Sequence, residues 1–187
     1  ITTGEGGCII TNNDEYANKA RRYINLYFGL KERFSHDDIG YNFRMTNMQA
    51  ALGVAQMEKI EFFKKKKKEI SEWYKQELKN CTTVDFQKTT GDVEHVFWMY
   101  SVVLRDHIKI NANQAMTILT ENEIGSRNLF KGLHTQKPLQ KYLHEFDKNA
   151  KYPVTEKLYE RGFYLPSAIS LTRKDISRIV SVLKKFK

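Results

Sequence analysis

Apolar residues recur at helical intervals across more than thirty positions in the middle of the chain. Met48, Leu52, Ala55, Ile60, Phe63, Ile70, Trp73 and Leu78 mark the stripe, and Thr46 with Gln49 three residues later has the spacing of a capping box. The pattern predicts one helix over residues 46–80, closed by Asn80. At about 1.5 Å per residue it would run roughly 45–50 Å, longer than the helices of most single domains and suited to a connector between two. With 187 residues, the chain can hold one ordinary domain, or one domain plus part of another.

The flanks of this helix differ. Before it, Ile1-Thr2-Thr3 leads into Gly4-Glu5-Gly6-Gly7, where glycines permit a tight turn, and Cys8-Ile9-Ile10 reads as a returning strand. Asn13 and Asp14 can cap a helix from Glu15 to Leu26 with Tyr16, Ala20, Tyr23 and Ile24 on one face. The stretch from Phe28 to Arg44 lacks periodicity and predicts a loop, the usual seat of binding groups. A strand pair and one helix bury little surface, so residues 1–45 are expected to take their core from a preceding half or a partner subunit. The chain starts in a strand-like run without an initiator Met, and the expectation is a piece of a longer protein.

After the helix, strands and helices alternate. Val84–Phe86 is a short strand candidate and Val96–Leu104 a strong one, dense in β-branched and aromatic residues. Asn113 is the expected cap of a helix through Asn122, and Ile124–Phe130 reads as a further strand. Pro153 opens a short helix that ends near Gly162. Phe163–Pro166 is extended, and Thr172 caps a last helix with Ile176, Ile179, Val180, Leu183 and Phe186 in one stripe. Residues 81–187 thus predict a compact α/β domain.

Bulk properties narrow the function. The hydrophobic fraction of 41% and charged fraction of 28% are those of a globular protein, and no apolar run approaches the roughly 20 residues of a membrane span. Cys8 and Cys81 are far apart, without ligand spacing, and are expected as free thiols in a reducing cytosol. The net charge is +9, with five positive charges in the run Lys64 to Lys68. That run lies in helical register and predicts a solvated face; no nucleic-acid motif accompanies it, so nucleic acid is not an expected partner.

Residue by residue, chemistry is sparse. Glu5 could be a catalytic carboxylate, although a turn glutamate is more often solvated. His36-Asp37-Asp38 is adjacent in sequence and lacks the spacing of metal ligands, so no metal site is expected. Arg127 and His134, on either side of Gly132, are plausible contacts for an anion or sugar; structural roles are the alternative.

Four segments read together say more. Ile1–Gly7 is followed by Gly40-Tyr41-Asn42-Phe43-Arg44-Met45-Thr46-Asn47, then His95-Val96-Phe97-Trp98-Met99-Tyr100, then Tyr164-Leu165-Pro166-Ser167. Their order and separation resemble the sugar-nucleotide aminotransferases of the DegT/DnrJ/EryC1/StrS family, most of all its perosamine-forming branch. The resemblance spans essentially the whole chain. It implies a type I pyridoxal-phosphate transferase fold: residues 1–45 close the large domain and residues 81–187 form the small one. It also implies a cytoplasmic homodimer with shared sites, serving polysaccharide (O-antigen) synthesis. The cofactor would be pyridoxal 5'-phosphate, acting as electron sink, with glutamate as amino donor and a nucleotide-linked 4-keto-6-deoxy sugar as acceptor.

In the family's pattern the Schiff-base lysine stands two positions before Ile1. No catalytic residue is then expected in this chain, and the chain alone would be inactive. Lys19 and Lys31, in a helix and a loop, do not fit that role. Asn42 matches the asparagine that reaches the cofactor phosphate of the neighbouring subunit, and Arg44 would stand beside it or form a structural salt bridge. Arg127 and His134 match a stretch near the sugar-nucleotide pocket, where Asn128 replaces the usual proline and Lys131-Gly132 a more apolar pair. Three alternatives stay open: a transaminase for a UDP- or dTDP-linked keto sugar, a sugar 3-dehydratase with histidine in place of the lysine, and a basic ligand- or nucleic-acid-binding fragment. Thr2-Thr3 favours transamination over dehydration.

Overall fold

The stripe from Met48 to Leu78 forms two helices in the computed structural model, which describes residues 1–29, 32, 34–145 and 151–187. Helix α2 spans Asn47–Met57 and helix α3 spans Ile60–Leu78, correcting the single helix expected over 46–80. The break falls where the apolar period fails. Ala55 is followed by Ile60, five residues on, and the turn between presents the charged Glu58 and Lys59. The Lys59 N–H turns back to the Gln56 carbonyl at 3.0 Å, a three-residue closure that ends α2. Two units result, Ile1–Glu61 and Phe62–Lys187, dividing just after this break.

The first unit contains helix α1, Asp14–Ile24, whose N-cap Asn13 accepts the Tyr16 N–H at 3.0 Å, and helix α2. Residues 8–12 form no strand, contrary to expectation. A strand exists only when a neighbour completes its hydrogen-bond ladder, and none of the described residues does so here. No described residue of this unit is buried, while Ile9, Ile10, Tyr41, Phe43, Met48, Leu52 and Met57 are exposed.

The second unit has its own core. Strands β1 (Val84–Phe86), β2 (Tyr100–Leu104), β3 (Arg127–Asn128) and β4 (Gly162–Leu165) form an antiparallel sheet in the order β1-β2-β4-β3. Alternation sends Tyr100, Val102 and Leu104 inward, and the register places Val102 opposite the buried Phe163. Against them pack Ile70, Tyr74 and Leu78 from α3, Ala112, Ala115 and Leu119 from helix α4 (Ala112–Glu121), and Ile176, Ile179, Val180 and Leu183 from the last helix, α6 (Arg173–Leu183). Each large aliphatic or aromatic side chain so buried stabilises by about 1.5–3 kcal/mol. Helix α5, Pro153–Arg161, runs directly into β4. A Cβ on Gly162 would lie 2.3 Å from Leu129 Cδ1 and 2.4 Å from the Leu158 carbonyl oxygen, so only glycine fits that junction.

Several local readings shift. The strand expected from Val96 begins only at Tyr100, because Phe97 takes a left-handed φ of 47° and gives its N–H to His95 Nδ1 at 2.8 Å. Asn111, not Asn113, caps α4 through a capping box with Gln114. The strand expected over Ile124–Phe130 shrinks to β3, and 3₁₀ turns at Leu133–Thr135 and Lys137–Glu145 follow it. Among the described residues no helix is long and apolar enough to cross a membrane.

Candidate functional site

The Gly4–Gly7 turn is held against α2. Gly4 and Gly6 have φ of 85° and 148°, values that side-chain-bearing residues rarely adopt. Thr3 Oγ1 donates to the Glu5 carbonyl at 2.6 Å, and Gln49 Nε2 donates to the same oxygen at 3.1 Å. The Glu5 carboxylate projects from an exposed position, as a solvated turn glutamate does.

The Gly40–Arg44 segment is pinned to the end of α1. Tyr41 donates to the Tyr23 carbonyl at 2.7 Å, Leu26 donates to Tyr41 at 2.9 Å, and Phe43 donates to Ile24 at 3.0 Å. Gly40 is required there: a Cβ would sit 2.4 Å from the Tyr27 nitrogen. Along an extended segment alternate side chains share a side. Tyr41 and Phe43 stack with centroids 5.1 Å apart, and Asn42 and Arg44 meet, Arg44 Nε donating to Asn42 Oδ1 at 3.1 Å. That bond fixes the amide so that Asn42 Nδ2 and the terminal Arg44 nitrogens remain as donors without a partner among the described residues. Exposed donors around one positive charge fit an anion such as a phosphate, and they offer nothing to a metal.

His36, Asp37 and Asp38 have local roles. His36 Nδ1 meets the Leu26 carbonyl at 2.7 Å, Asp37 pairs with Arg22, and Asp38 accepts the Ile39 N–H at 2.7 Å. Lys19 is exposed on α1, and Lys31 lies outside the described residues.

In the second unit Arg127 stands exposed on β3 opposite Tyr164. His134 is half-buried: its Nε2 is 3.3 Å from Glu156 Oε1 and its ring lies 4.7 Å from that of Tyr152. A Cβ on Gly132 would come 2.5 Å from the His134 ring, so that glycine seats the imidazole. Among the described residues no hydrogen bond or ion pair joins Arg127 to His134; each is placed by its own element. Asn128 donates through Nδ2 to Asn113 Oδ1 at 2.9 Å and so ties β3 to α4.

The lysine run is not one solvated face. Lys67 Nζ donates to the Trp98 carbonyl at 3.0 Å and to the Ser167 carbonyl and hydroxyl at 2.5 and 3.2 Å. Partial burial pulls its pKa below the ordinary lysine value. It thereby joins two of the recognised segments, His95–Tyr100 and Tyr164–Ser167. Lys67 falls four residues after Phe63 and three before the buried Ile70, so it shares their face of α3.

Residues 1–184 match the DegT/DnrJ/EryC1/StrS aminotransferase family. The chain belongs to this family. A GDP-perosamine synthase of Vibrio cholerae is 34% identical over 186 residues, covering all of this chain and 49% of the relative. The Helicobacter pylori aminotransferase PseC, involved in the biosynthesis of pseudoaminic acid, superposes with a TM-score of 0.86 at 22% identity, over 98% of this chain and 49% of its own. An Escherichia coli GDP-4-keto-6-deoxy-D-mannose-3-dehydratase with bound hydrated pyridoxal phosphate gives 0.82 at 21% identity, over 97% of this chain and 50% of its own. The α/β fold expected from the sequence is the fold of these sugar enzymes. The chain spans about half the length of the relatives it matches.

Proposed function

We propose that this chain forms part of a pyridoxal-phosphate-dependent aminotransferase that converts a GDP-linked 4-keto-6-deoxy sugar to the 4-amino sugar, with glutamate as amino donor. Whole-chain identity of 34% to a GDP-perosamine synthase carries the reading. Asn42 and Arg44 hold the cofactor phosphate, their exposed donors and positive charge suiting an anion, and they do so across the interface of a cytoplasmic homodimer. Arg127 offers a guanidinium to the diphosphate of the sugar nucleotide. His134, braced by Glu156 and Tyr152, offers a ring nitrogen to a sugar hydroxyl. Pyridoxal phosphate supplies the electron sink that transamination needs, bound to a lysine two positions before Ile1.

The residue at that position separates two reactions on one fold. With lysine there, the amino group taken from glutamate passes to the sugar. Histidine there makes a 3-dehydratase, a reading favoured only by the shared fold with the E. coli dehydratase. The test is to incubate the full-length protein with pyridoxal phosphate, glutamate and the GDP-linked 4-keto-6-deoxy sugar. Equimolar 2-oxoglutarate and 4-amino sugar are expected. A protein that stays colourless and takes up no cofactor overturns the proposal, and preference for a UDP- or dTDP-linked sugar reassigns the substrate.

A further inference from the structure

One face of α2 grips both ends of the opening turn. Gln49, Gly53 and Gln56 stand at i, i+4 and i+7 and therefore share that face. Gln56 Oε1 accepts the Thr2 N–H at 2.9 Å while Gln56 Nε2 donates to the Thr2 carbonyl, so one side chain engages both backbone groups of one residue. Two turns earlier Gln49 Nε2 donates to the Glu5 carbonyl at 3.1 Å. Between them a Cβ on Gly53 would lie only 3.3 Å from Thr3 Cγ2, so the bare glycine lets the segment lie close to the helix. From the other side, a Cβ on Gly6 would meet Thr3 Oγ1 at 2.6 Å and Met45 Cε at 3.0 Å.

These ties pair the backbone of Thr2 from the helix side. Residues 1–3 belong to no strand, yet Thr2 has both of its backbone groups paired as a strand residue would. A ladder can slip in register, whereas a primary amide reaching from a helix addresses one residue only. Gln49 also accepts the Thr46 N–H at 2.9 Å, so the cap of α2 and the turn share a side chain.

We infer that Gln56, supported by Gln49 and Gly53, is a positioning residue: it fixes Thr2 and thereby the reacting side chain three residues upstream. The inference rests on the aminotransferase reading above. Three residues of chain reach about 10 Å at most, short enough for a displaced Thr2 to move the reacting nitrogen. Misplacement on the order of 1 Å lowers turnover by about 100-fold.

The test uses the full-length protein with Gln56→Ala and Gln56→Glu. In Gln56→Ala the Thr2 amide should exchange hydrogen about 10-fold faster or more, in the cofactor-free protein as well as the loaded one. Per loaded site, kcat should fall about 10- to 100-fold with KM for the nucleotide sugar little changed, and the pH midpoint of the bound cofactor's absorbance should move. Gln56→Glu keeps an acceptor for the Thr2 N–H, loses the donor to the Thr2 carbonyl, and should fall between wild type and Gln56→Ala. Unchanged kcat and pH midpoint in Gln56→Ala overturn the inference, as does a lower melting temperature without either effect. A wild-type Thr2 amide that exchanges as fast as the variant's defeats the tie itself, whereas failure to take up pyridoxal phosphate defeats the aminotransferase reading instead.

Discussion

Two tyrosines stacked in the core show how much one hydroxyl decides. Tyr74 and Tyr100 lie with ring centroids 4.4 Å apart, and burial raises the pKa of both. Tyr74 Oη donates to the Pro166 carbonyl at 2.8 Å, whereas the buried Tyr100 hydroxyl has no partner among the described residues. An unsatisfied buried polar group costs about 1–3 kcal/mol, and a paired one contributes about 1 kcal/mol. Tyr100→Phe is therefore expected to be neutral or to stabilise by about 1 kcal/mol, while Tyr74→Phe should destabilise by about 1–2 kcal/mol, since it leaves a carbonyl unpaired. Urea unfolding of the two variants checks the opposite signs. Nothing in the sequence separates these tyrosines, because each falls on an apolar stripe and only the packed core shows which hydroxyl meets a carbonyl. Asn42 and Arg44 stand two residues apart on an extended segment, so their adjacency is legible at this scale; the partners of Gln56 and Lys67, 54 and 100 residues away, are not.

At the scale of the element, helix ends are governed by local chemistry and should respond to pH accordingly. Asp175 accepts the Thr172 N–H and hydroxyl at 2.8 and 2.7 Å, completing the capping box of α6. These bonds, the Thr172 side chain first, hold the carboxyl below its ordinary value of 3.8. A depressed carboxylate pKa means the unfolded chain binds the proton more tightly. The cap's contribution is thus complete above about pH 4 and is lost as pH falls through the lower folded-state value. In Asp175→Asn the acid limb of melting temperature against pH should flatten below pH 4 relative to wild type. The caps of α1 and α6 and the extents of α5 and β1 could be read from sequence because a few adjacent residues set them. The break between α2 and α3 was legible only as a missed period.

The chain divides into one unit with a core and one in which no described residue is buried. All of the buried apolar cluster belongs to Phe62–Lys187, and the first unit leaves large apolar side chains on its surface. Residues 60–187 expressed alone should melt cooperatively, with a near-ultraviolet circular dichroism signal from packed aromatics. Residues 1–61 alone should show neither, because local hydrogen bonds do not offset the entropy of ordering the chain without apolar burial. A cooperative transition in residues 1–61 would contradict this account of where the stability lies.

By itself the sequence determined the family, the α/β class and the caps of α1, α2 and α6. All of these follow from short-range patterns or motifs a few residues long. Only the tertiary structure decided that the lysine run turns one amine inward and that the strand expected from Val96 starts late. It alone decided, too, that two glutamines of α2 hold the opening turn. For the lysine and the glutamines a polar group found its partner far along the chain. For the late strand, the Phe97 N–H turned to the His95 ring two residues back. In each case the hydrogen bond outweighed the local preference of the residues that make it.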